Sequence, residues 1–206
     1  MALVYPEEER LEENKRIIND TLKNTLSLTI DDFSLKEDFK NDCSHVSFVL
    51  YCDNGETQQE FEICSVGSGA LDAIYTGVLD KFADKYVSLR DVVLYDFLVS
   101  VKFQESRTSL NTDAPVEVKI CLVGTSRSQS KLYFKAKSNS IVKSSLLATC
   151  NAMEYLINSE LAVIQMSEDI EYAGERERMD LKEEYVSKLS ELVKFISYSE
   201  AIERNK

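Results

Sequence analysis

The spacing of apolar residues along the chain predicts four helices. In these segments apolar side chains recur three, four or seven positions apart, which places them on one face of a helix. The segment 71–82 has the broadest such face and follows a glycine-containing turn. Further segments of this kind lie at 7–26, 142–156 and 181–196. The first and last of the four carry many charged residues, which is typical of amphipathic helices packed on a surface.

Alternation of apolar and polar residues predicts strands between these helices. The clearest run is 46–52, and Asp53-Asn54-Gly55-Glu56 after it supplies residues suited to positive φ in a hairpin turn. A second strand through Phe61 and Ile63 is expected to follow. Further strands are expected at 33–39, 97–103, 116–122 and 132–136.

The order of these elements predicts an α+β fold that contains two βββα repeats. Val46 and Val116 begin corresponding strands, and Gly67 and Ser138 precede corresponding helices at nearly the same spacing. Neither repeat can complete a core alone, so both are expected to lay their helices over a shared face of sheet. We therefore predict a pseudo-twofold domain. The predicted parts are an N-terminal amphipathic helix at 1–27, the duplicated domain at 28–158 and a C-terminal helical extension at 159–206.

The charge of the chain argues against nucleic acid and anionic membrane surfaces as partners. The formal net charge is −12 and the pI is near 4.7, whereas affinity for both partners comes from clustered Lys and Arg. The N-terminal residues are acidic where a secretory signal has basic residues and an apolar run. No segment approaches the roughly 20 apolar residues that cross a bilayer. The sequence therefore predicts a cytoplasmic protein.

The sequence offers no constellation of catalytic residues. The five cysteines are widely spaced and lack a C-x-x-C pair, so we expect reduced, mostly buried thiols. His45 is the single histidine, and a lone histidine beside a strand is more often a polar loop residue than a ligand or base. The carboxylates fall in charge-rich segments, where solvated faces are the usual interpretation. We therefore predict no enzyme activity, no cofactor and no metal site.

One local motif suits contact with a ligand, the segment Gly67-Ser68-Gly69 between a strand and a helix. Glycines permit positive φ, and backbone N–H groups at a helix start attract anions. A tight turn that only starts the helix explains the motif equally well, and both interpretations stay open. A dinucleotide site is disfavoured because a third glycine and a βαβ context are missing. If Gly69 needs positive φ or a close backbone approach, Gly69→Val should strain or block the turn.

Residues 33–156 resemble the C-terminal allosteric, or dimerisation, domain of 2-isopropylmalate and citramalate synthases. Four segments carry the resemblance, in the same order as in that family. They are similar to its G-x-G-P-x-D-A turn, its L-x-D-Y strand entry, its G-T-D-A segment and its S-x-N/D-I-x-x-A-S helix start. In this chain they read GSGALDA at 67–73, LYDF at 94–97, TDA at 112–114 and SNSIVKSS at 138–145.

The resemblance implies two βββα units in one domain and the association of two domains into a homodimer. It also implies that a branched-chain amino acid, leucine or isoleucine, binds at the interface and inhibits a separate catalytic barrel. Backbone amides at the turn would hold the carboxylate of this effector, and aliphatic side chains would surround its branched end. Carried over motif by motif, the pocket would comprise Gly67, Gly69, Leu71, Asp72, Leu94, Phe97, Val101, Ala114 and Ile141.

The sequence departs from that family in ways that bear on function. Ala70 stands where the family has Pro, and Phe97 where it usually has Tyr. The catalytic barrel, which needs about 250 residues, has no counterpart in these 206. The sequence therefore predicts a non-catalytic regulatory or effector-binding protein. The alternative is a structural dimerisation or protein-interaction module that has lost the effector and holds a partner through its terminal helices.

Overall fold

The computed structural model describes residues 6–101, 114–125 and 131–205 and has an α+β fold. Its helices are α1 (Pro6–Thr21), α2 (Ala70–Phe82), α3 (Ile141–Glu175), α4 (Met179–Leu192) and α5 (Ser199–Arg204). Its strands are β1 (Ser27–Asp38), β2 (Cys43–Asp53), β3 (Gln58–Gly67), β4 (Val92–Val101), β5 (Val116–Gly124) and β6 (Lys131–Ser138). A short 3-10 helix, Val87–Asp91, leads into β4. None of the described helices combines the length and the apolar character needed to cross a bilayer.

The strands form two antiparallel sheets, sheet A with the order β1-β2-β3 and sheet B with the order β4-β5-β6. Helix α2 follows sheet A and helix α3 follows sheet B, so three strands and a helix occur twice in succession. A duplication and a pseudo-twofold relation between the halves stay predictions. The predicted hairpin between β2 and β3 is confirmed, and its turn contains Gly55 with φ of +81°.

Alternate residues of β2 bury one face of sheet A. Val46, Phe48 and Leu50 are at most 3% exposed, and Phe48 lies opposite Ile63 of β3. Helix α2 packs on β2 and β3 with a fully buried stripe that includes Ile74. A fully buried side chain of this size contributes about 1.5–3 kcal/mol, so a register shift that exposed this set would be costly. The intervening residues of β2 form the opposite face, which is half-buried or exposed.

Helix α3 is the central element of the fold and is longer than the sequence predicts. It packs on β5 and β6 and also contacts β1 and α2. The sequence pattern predicts a helix that ends near residue 157, whereas buried Ala162, Val163 and Met166 extend its apolar face toward α4 and α5. The helix continues to Glu175, so the predicted boundary between 158 and 159 lies inside it.

Polar side chains on α3 fix the connections that lead into the two sheets. Asn158 accepts from the backbone N–H of Leu26 and donates to its carbonyl oxygen, both at 2.8 Å. Glu160 accepts from the backbone N–H of Ser88 at 2.9 Å and from the Ser88 hydroxyl. Because these groups are buried, leaving one of them without its hydrogen-bond partner would cost about 1–3 kcal/mol. Helix α3 thus positions the entry to β1 and the approach to β4.

Both terminal segments share the core with the sheets. Leu11 and Ile18 of α1 are at most 7% exposed. After α4, Phe195 and Ile196 are at most 1% exposed. A Cβ on Gly124 at the end of β5 would come within 2.5 Å of the Phe195 carbonyl oxygen, so this segment packs closely on sheet B. The sequence predicts terminal helices added to a separate core, whereas the buried residues form one continuous cluster.

Candidate functional sites

The turn that the resemblance assigns to an effector already holds a carboxylate of the chain itself. Gly67 ends β3, and Gly69 is the N-cap residue of α2. The Asp72 carboxylate accepts from the Ser68 backbone N–H at 2.8 Å and from the Ser68 hydroxyl at 3.1 Å. The positive end of the helix dipole stabilises an acidic group in this position. A ligand carboxylate at the same turn would be repelled by Asp72.

The two glycines of this turn have different surroundings. Gly69 has φ of −170° and ψ of 169°, and a Cβ there would meet nothing within 4 Å. The expectation that Gly69 needs positive φ or a close backbone approach is therefore wrong. The constraint lies at Gly67, where a Cβ would come within 2.4 Å of the Ala73 backbone nitrogen. The end of β3 approaches the first turn of α2 too closely for a side chain.

Gly67→Ala is expected to lower the free energy of unfolding by about 1–3 kcal/mol, the cost of forcing a methyl group into a closed space. The matched control is Gly69→Ala, which places the same methyl group in open space on extended backbone. That variant should change stability by less than about 1 kcal/mol. Urea denaturation of both variants measures the difference. Equal losses at the two positions would contradict the packing of β3 against α2.

The predicted pocket residues divide between the two halves of the fold. Gly67, Gly69, Leu71 and Asp72 lie at the end of sheet A and the start of α2. The others belong to sheet B and its surroundings: Leu94, Phe97 and Val101 in β4, Ala114 before β5, and Ile141 at the start of α3. None of the nine lines any of three cavities found among the described residues. Phe97, Val101 and Ile141 are between 38% and 48% exposed, so these apolar side chains lie on the surface.

A cavity of about 590 Å³ lies in a different place, between α1, the start of β1, sheet B and α3. Apolar and charged side chains both line it: Leu11, Ile18, Leu26, Phe134, Lys15, Lys119, Lys135, Glu12 and Glu154. Sequence reasoning missed this cavity because α1 closes one side of it, and the pattern alone does not say where a terminal helix docks. Lys15 is paired with the Glu12 carboxylate at 2.7 Å, so an anion with an aliphatic part would have to bind on the side of Lys119 and Lys135.

One of the two carboxyl groups that line this cavity, Glu154, is partly buried. Burial raises the pKa of Glu154, and the hydrogen bond from the Leu28 N–H and the charge of Lys15 offset part of the rise. The Lys119 ammonium lies 4.2 Å from the centroid of the Tyr133 ring, a cation–π distance. Charges of both signs therefore line this cavity.

Strand β4 forms an exposed apolar edge of sheet B. Its outer side has no neighbouring strand in the described part of the sheet. Large apolar side chains along it are exposed on both faces: Val93 47%, Tyr95 63%, Phe97 38%, Leu98 59% and Val101 38%. Between Leu94 and Asp96 the register with β5 shifts, and after this bulge β4 pairs regularly with β5. Several large apolar side chains exposed along one edge strand suit contact with another chain.

Three potential metal ligands meet where β1 turns into β2. Asp38 ends β1, Cys43 lies directly opposite it at the start of β2, and His45 follows two residues later. Ligand atoms of all three lie within 4.8 Å of one another. The sequence predicts no metal site, and it does not reveal that Asp38 and Cys43 lie close enough to His45 to share one ion with it. The sequence feature that could have indicated this cluster is the i, i+2 spacing of Cys43 and His45, which on a strand places both side chains on one face.

Hydrogen bonds orient the carboxylate of this cluster. Asp38 accepts from the backbone N–H groups of Lys40 and Asn41, each at 3.1 Å, and from the Asn41 side-chain amide at 2.8 Å. These bonds, with that from the Asn41 side chain foremost, lower the pKa of Asp38. The group is therefore held in its charged form at neutral pH.

All five cysteines are free thiols, as the sequence predicts. Cys52, Cys121 and Cys150 are buried, Cys43 is half-buried and Cys64 is exposed. Burial raises the pKa of Cys150 to about 12, with a smaller contribution from the nearby Glu154 carboxylate. A thiol with so high a pKa is a poor nucleophile at neutral pH. Only Cys43 and Cys64 are therefore open to chemistry with solutes.

No protein-family model and no curated protein matches this sequence. The resemblance to the synthase allosteric domain therefore depends on the four motifs alone, and the family stays a prediction. A function must in any case be argued from the sites, because one fold supports many functions. Among the described residues, the candidate sites include the β4 edge, the cavity beside α1 and the Asp38–Cys43–His45 cluster.

Proposed function

We propose that the protein is a non-catalytic dimerisation module in which two copies associate through the edges of β4. One observation carries the proposal: among the described strands, β4 lies at the edge of sheet B and exposes apolar side chains on both faces. The free edge of a strand offers backbone N–H and C=O groups to a strand of another chain. Antiparallel pairing of two β4 strands would join both B sheets into one continuous sheet and cover the exposed side chains.

Charged residues mark the other three sheet edges but are nearly absent from β4. The charged residues of the other edge strands are Asp31, Asp32, Lys36, Glu37 and Asp38 in β1, Glu60 and Glu62 in β3, and Lys131, Lys135 and Lys137 in β6. Strand β4 has one charged residue, Asp96, and contains no lysine, proline or glycine. Charges on an edge strand disfavour pairing with another chain. Among the described edges, β4 is therefore the best suited to self-association.

Strand β4 can pair with itself without bringing like charges together. In an antiparallel pair centred on Leu98, Phe97 faces Val99 of the second copy and Asp96 faces Ser100. The two Leu98 side chains lie opposite each other, and apolar cross-strand pairs each contribute about 0.2–1 kcal/mol. A two-fold axis at this position produces a closed dimer, the commonest form of oligomer.

Sedimentation velocity over a range of protein concentrations tests this proposal on the unaltered chain. We expect a dimer at micromolar concentration that dissociates on dilution. A monomer at every concentration would contradict the proposal. Species that keep growing with concentration would contradict it as well, because pairing of two β4 edges uses both edges and closes the assembly.

Effector binding is a second candidate function, and the cavity beside α1 favours it. The cavity combines an apolar wall, which includes Ile18 and Phe134, with the ammonium groups of Lys119 and Lys135. A carboxylate with an aliphatic side chain fits that chemistry. This is the class of ligand that the sequence resemblance implies, at a place other than the turn at Gly67. With this second function, the protein would be a sensor of a small aliphatic acid.

Thermal denaturation with leucine, isoleucine and the corresponding 2-oxo acids tests this second candidate. A compound that binds the native chain raises the melting temperature by mass action. Lys135→Ala should remove the shift, whereas Lys137→Ala, an exposed residue of the same strand outside the cavity, should retain it. Effector binding in this cavity is refuted if none of the four compounds produces a shift, or if both variants respond alike.

A further inference from the structure

The side chains of the Asp38–Cys43–His45 cluster project from the face of sheet A that α2 leaves uncovered. Cys43 and His45 are two residues apart on β2, so they point away from the face that buries Val46. Asp38 is the cross-strand partner of Cys43, so its side chain lies on the same face. Asp38 and Cys43 are half-buried and His45 is exposed, which leaves the cluster accessible from solvent.

The distances within the cluster match those between ligands of one tetrahedral ion. Cys43 Sγ and His45 Nε2 are 3.6 Å apart. Zinc binds thiolate sulfur at about 2.3 Å and imidazole nitrogen at about 2.0–2.1 Å, so a tetrahedral angle separates the two ligand atoms by about 3.6 Å. The Asp38 carboxylate lies within 4.8 Å of both, close enough to supply a third ligand after a small rotation. The donors are therefore placed for coordination before any ion enters.

We propose that Asp38, Cys43 and His45 bind a divalent transition-metal ion of the zinc type, with water in the fourth position. Sulfur, imidazole nitrogen and carboxylate oxygen are the ligand atoms that zinc takes in proteins, whereas magnesium and calcium bind oxygen ligands. The three hydrogen bonds on Asp38 supply the outer contacts that orient a metal-binding carboxylate.

The charges of the cluster balance those of the ion. A thiolate at Cys43 and the carboxylate of Asp38 together neutralise a divalent cation, and His45 binds as a neutral imidazole. Binding forms the metal–sulfur bond and releases the Cys43 thiol proton to solvent, with no change of oxidation state. The net charge of −12 favours the approach of a cation to this surface. The open fourth position would let a ligand from solution reach the bound metal.

Titration of the reduced, metal-free full chain with cobalt(II) tests the site, because cobalt replaces zinc and reports its ligands by absorption. We expect one equivalent to bind, with a thiolate-to-cobalt charge-transfer band and strong visible bands typical of tetrahedral coordination. Zinc should displace the cobalt and remove both features. Cys43→Ser should abolish the charge-transfer band. His45→Gln and Asp38→Asn should each weaken binding by more than the roughly 10- to 100-fold that loss of an outer contact costs.

The control is Cys64→Ser, which removes the exposed thiol on β3 and should leave the cobalt spectrum and affinity unchanged. Circular dichroism checks that each variant is folded, and His45→Gln at an exposed position is the variant least dependent on packing. The proposal is overturned if the unaltered chain shows no charge-transfer band. It is equally overturned if that band survives Cys43→Ser or disappears with Cys64→Ser. Unchanged affinity for cobalt in His45→Gln would overturn it as well.

Discussion

Phe195→Ala is expected to lower the free energy of unfolding by about 3–5 kcal/mol. Phe195 is 1% exposed, and its backbone carbonyl lies against Gly124 at the end of β5. Neighbouring Leu192 and Ile196 are buried as well, so removal of the ring leaves a cavity that the surroundings cannot easily fill. Because the total free energy of unfolding of such a domain is about 5–15 kcal/mol, this one substitution should remove a large part of its stability.

Val193→Ala is the matched control for this prediction. Val193 belongs to the same segment but is 40% exposed, so its truncation should cost less than about 1 kcal/mol. Urea denaturation of both variants gives the comparison. If Phe195→Ala were as mild as Val193→Ala, the C-terminal segment would be an addition to an independent core, and the shared core described above would be incorrect.

If two copies associate through β4 as proposed, Leu98→Lys is expected to leave the chain monomeric at concentrations where the unaltered chain forms dimers. The substitution places two ammonium groups opposite each other at the centre of the paired strands, and like charges in that position are destabilising. We expect the dissociation constant to rise at least about tenfold, equivalent to about 1.4 kcal/mol. Leu98 is 59% exposed, so the lysine should not disturb the fold of the monomer.

Val186→Lys provides the control for the charge change. Val186 is 47% exposed on α4 and lies far along the chain from β4, and its substitution adds the same charge. Sedimentation velocity should show this variant as a dimer with unaltered dissociation constant. If both lysine variants stayed dimeric, association would occur through a surface other than β4.

Alternation predicted the six strands and helical spacing predicted α1 to α4, because both patterns follow directly from burial of one face. Helix α5 was not predicted, and α1 and α4 end at Thr21 and Leu192, before the predicted ends at 26 and 196. The errors in extent have local causes. The sequence pattern places the fourth strand at 97–103, whereas β4 begins at Val92, because the bulge between Leu94 and Asp96 interrupts the alternation. Helix α3 exceeds its predicted length because Ser159 and Glu160, polar residues that suggest an end to the apolar face, are buried.

The candidate sites were less accessible from sequence, because they depend on distances across the fold. The sequence identified the turn at Gly67 and Gly69 but not which glycine is constrained, since that depends on how closely β3 approaches α2. The cluster around His45 needs the register that sets Asp38 opposite Cys43. The apolar character of β4 was visible in the sequence, but its position at the edge of a sheet was not.

Amide hydrogen exchange in β4 at high and low protein concentration shows directly whether two copies associate through this strand. Residues 58–67 of β3, an edge strand of sheet A, serve as the internal reference. Pairing of β4 edges predicts that amides within 92–101 exchange more slowly at high concentration and return to faster exchange on dilution, while β3 does not change. Exchange in β4 that is the same at all concentrations, or protection that appears in β3 instead, would contradict association through β4.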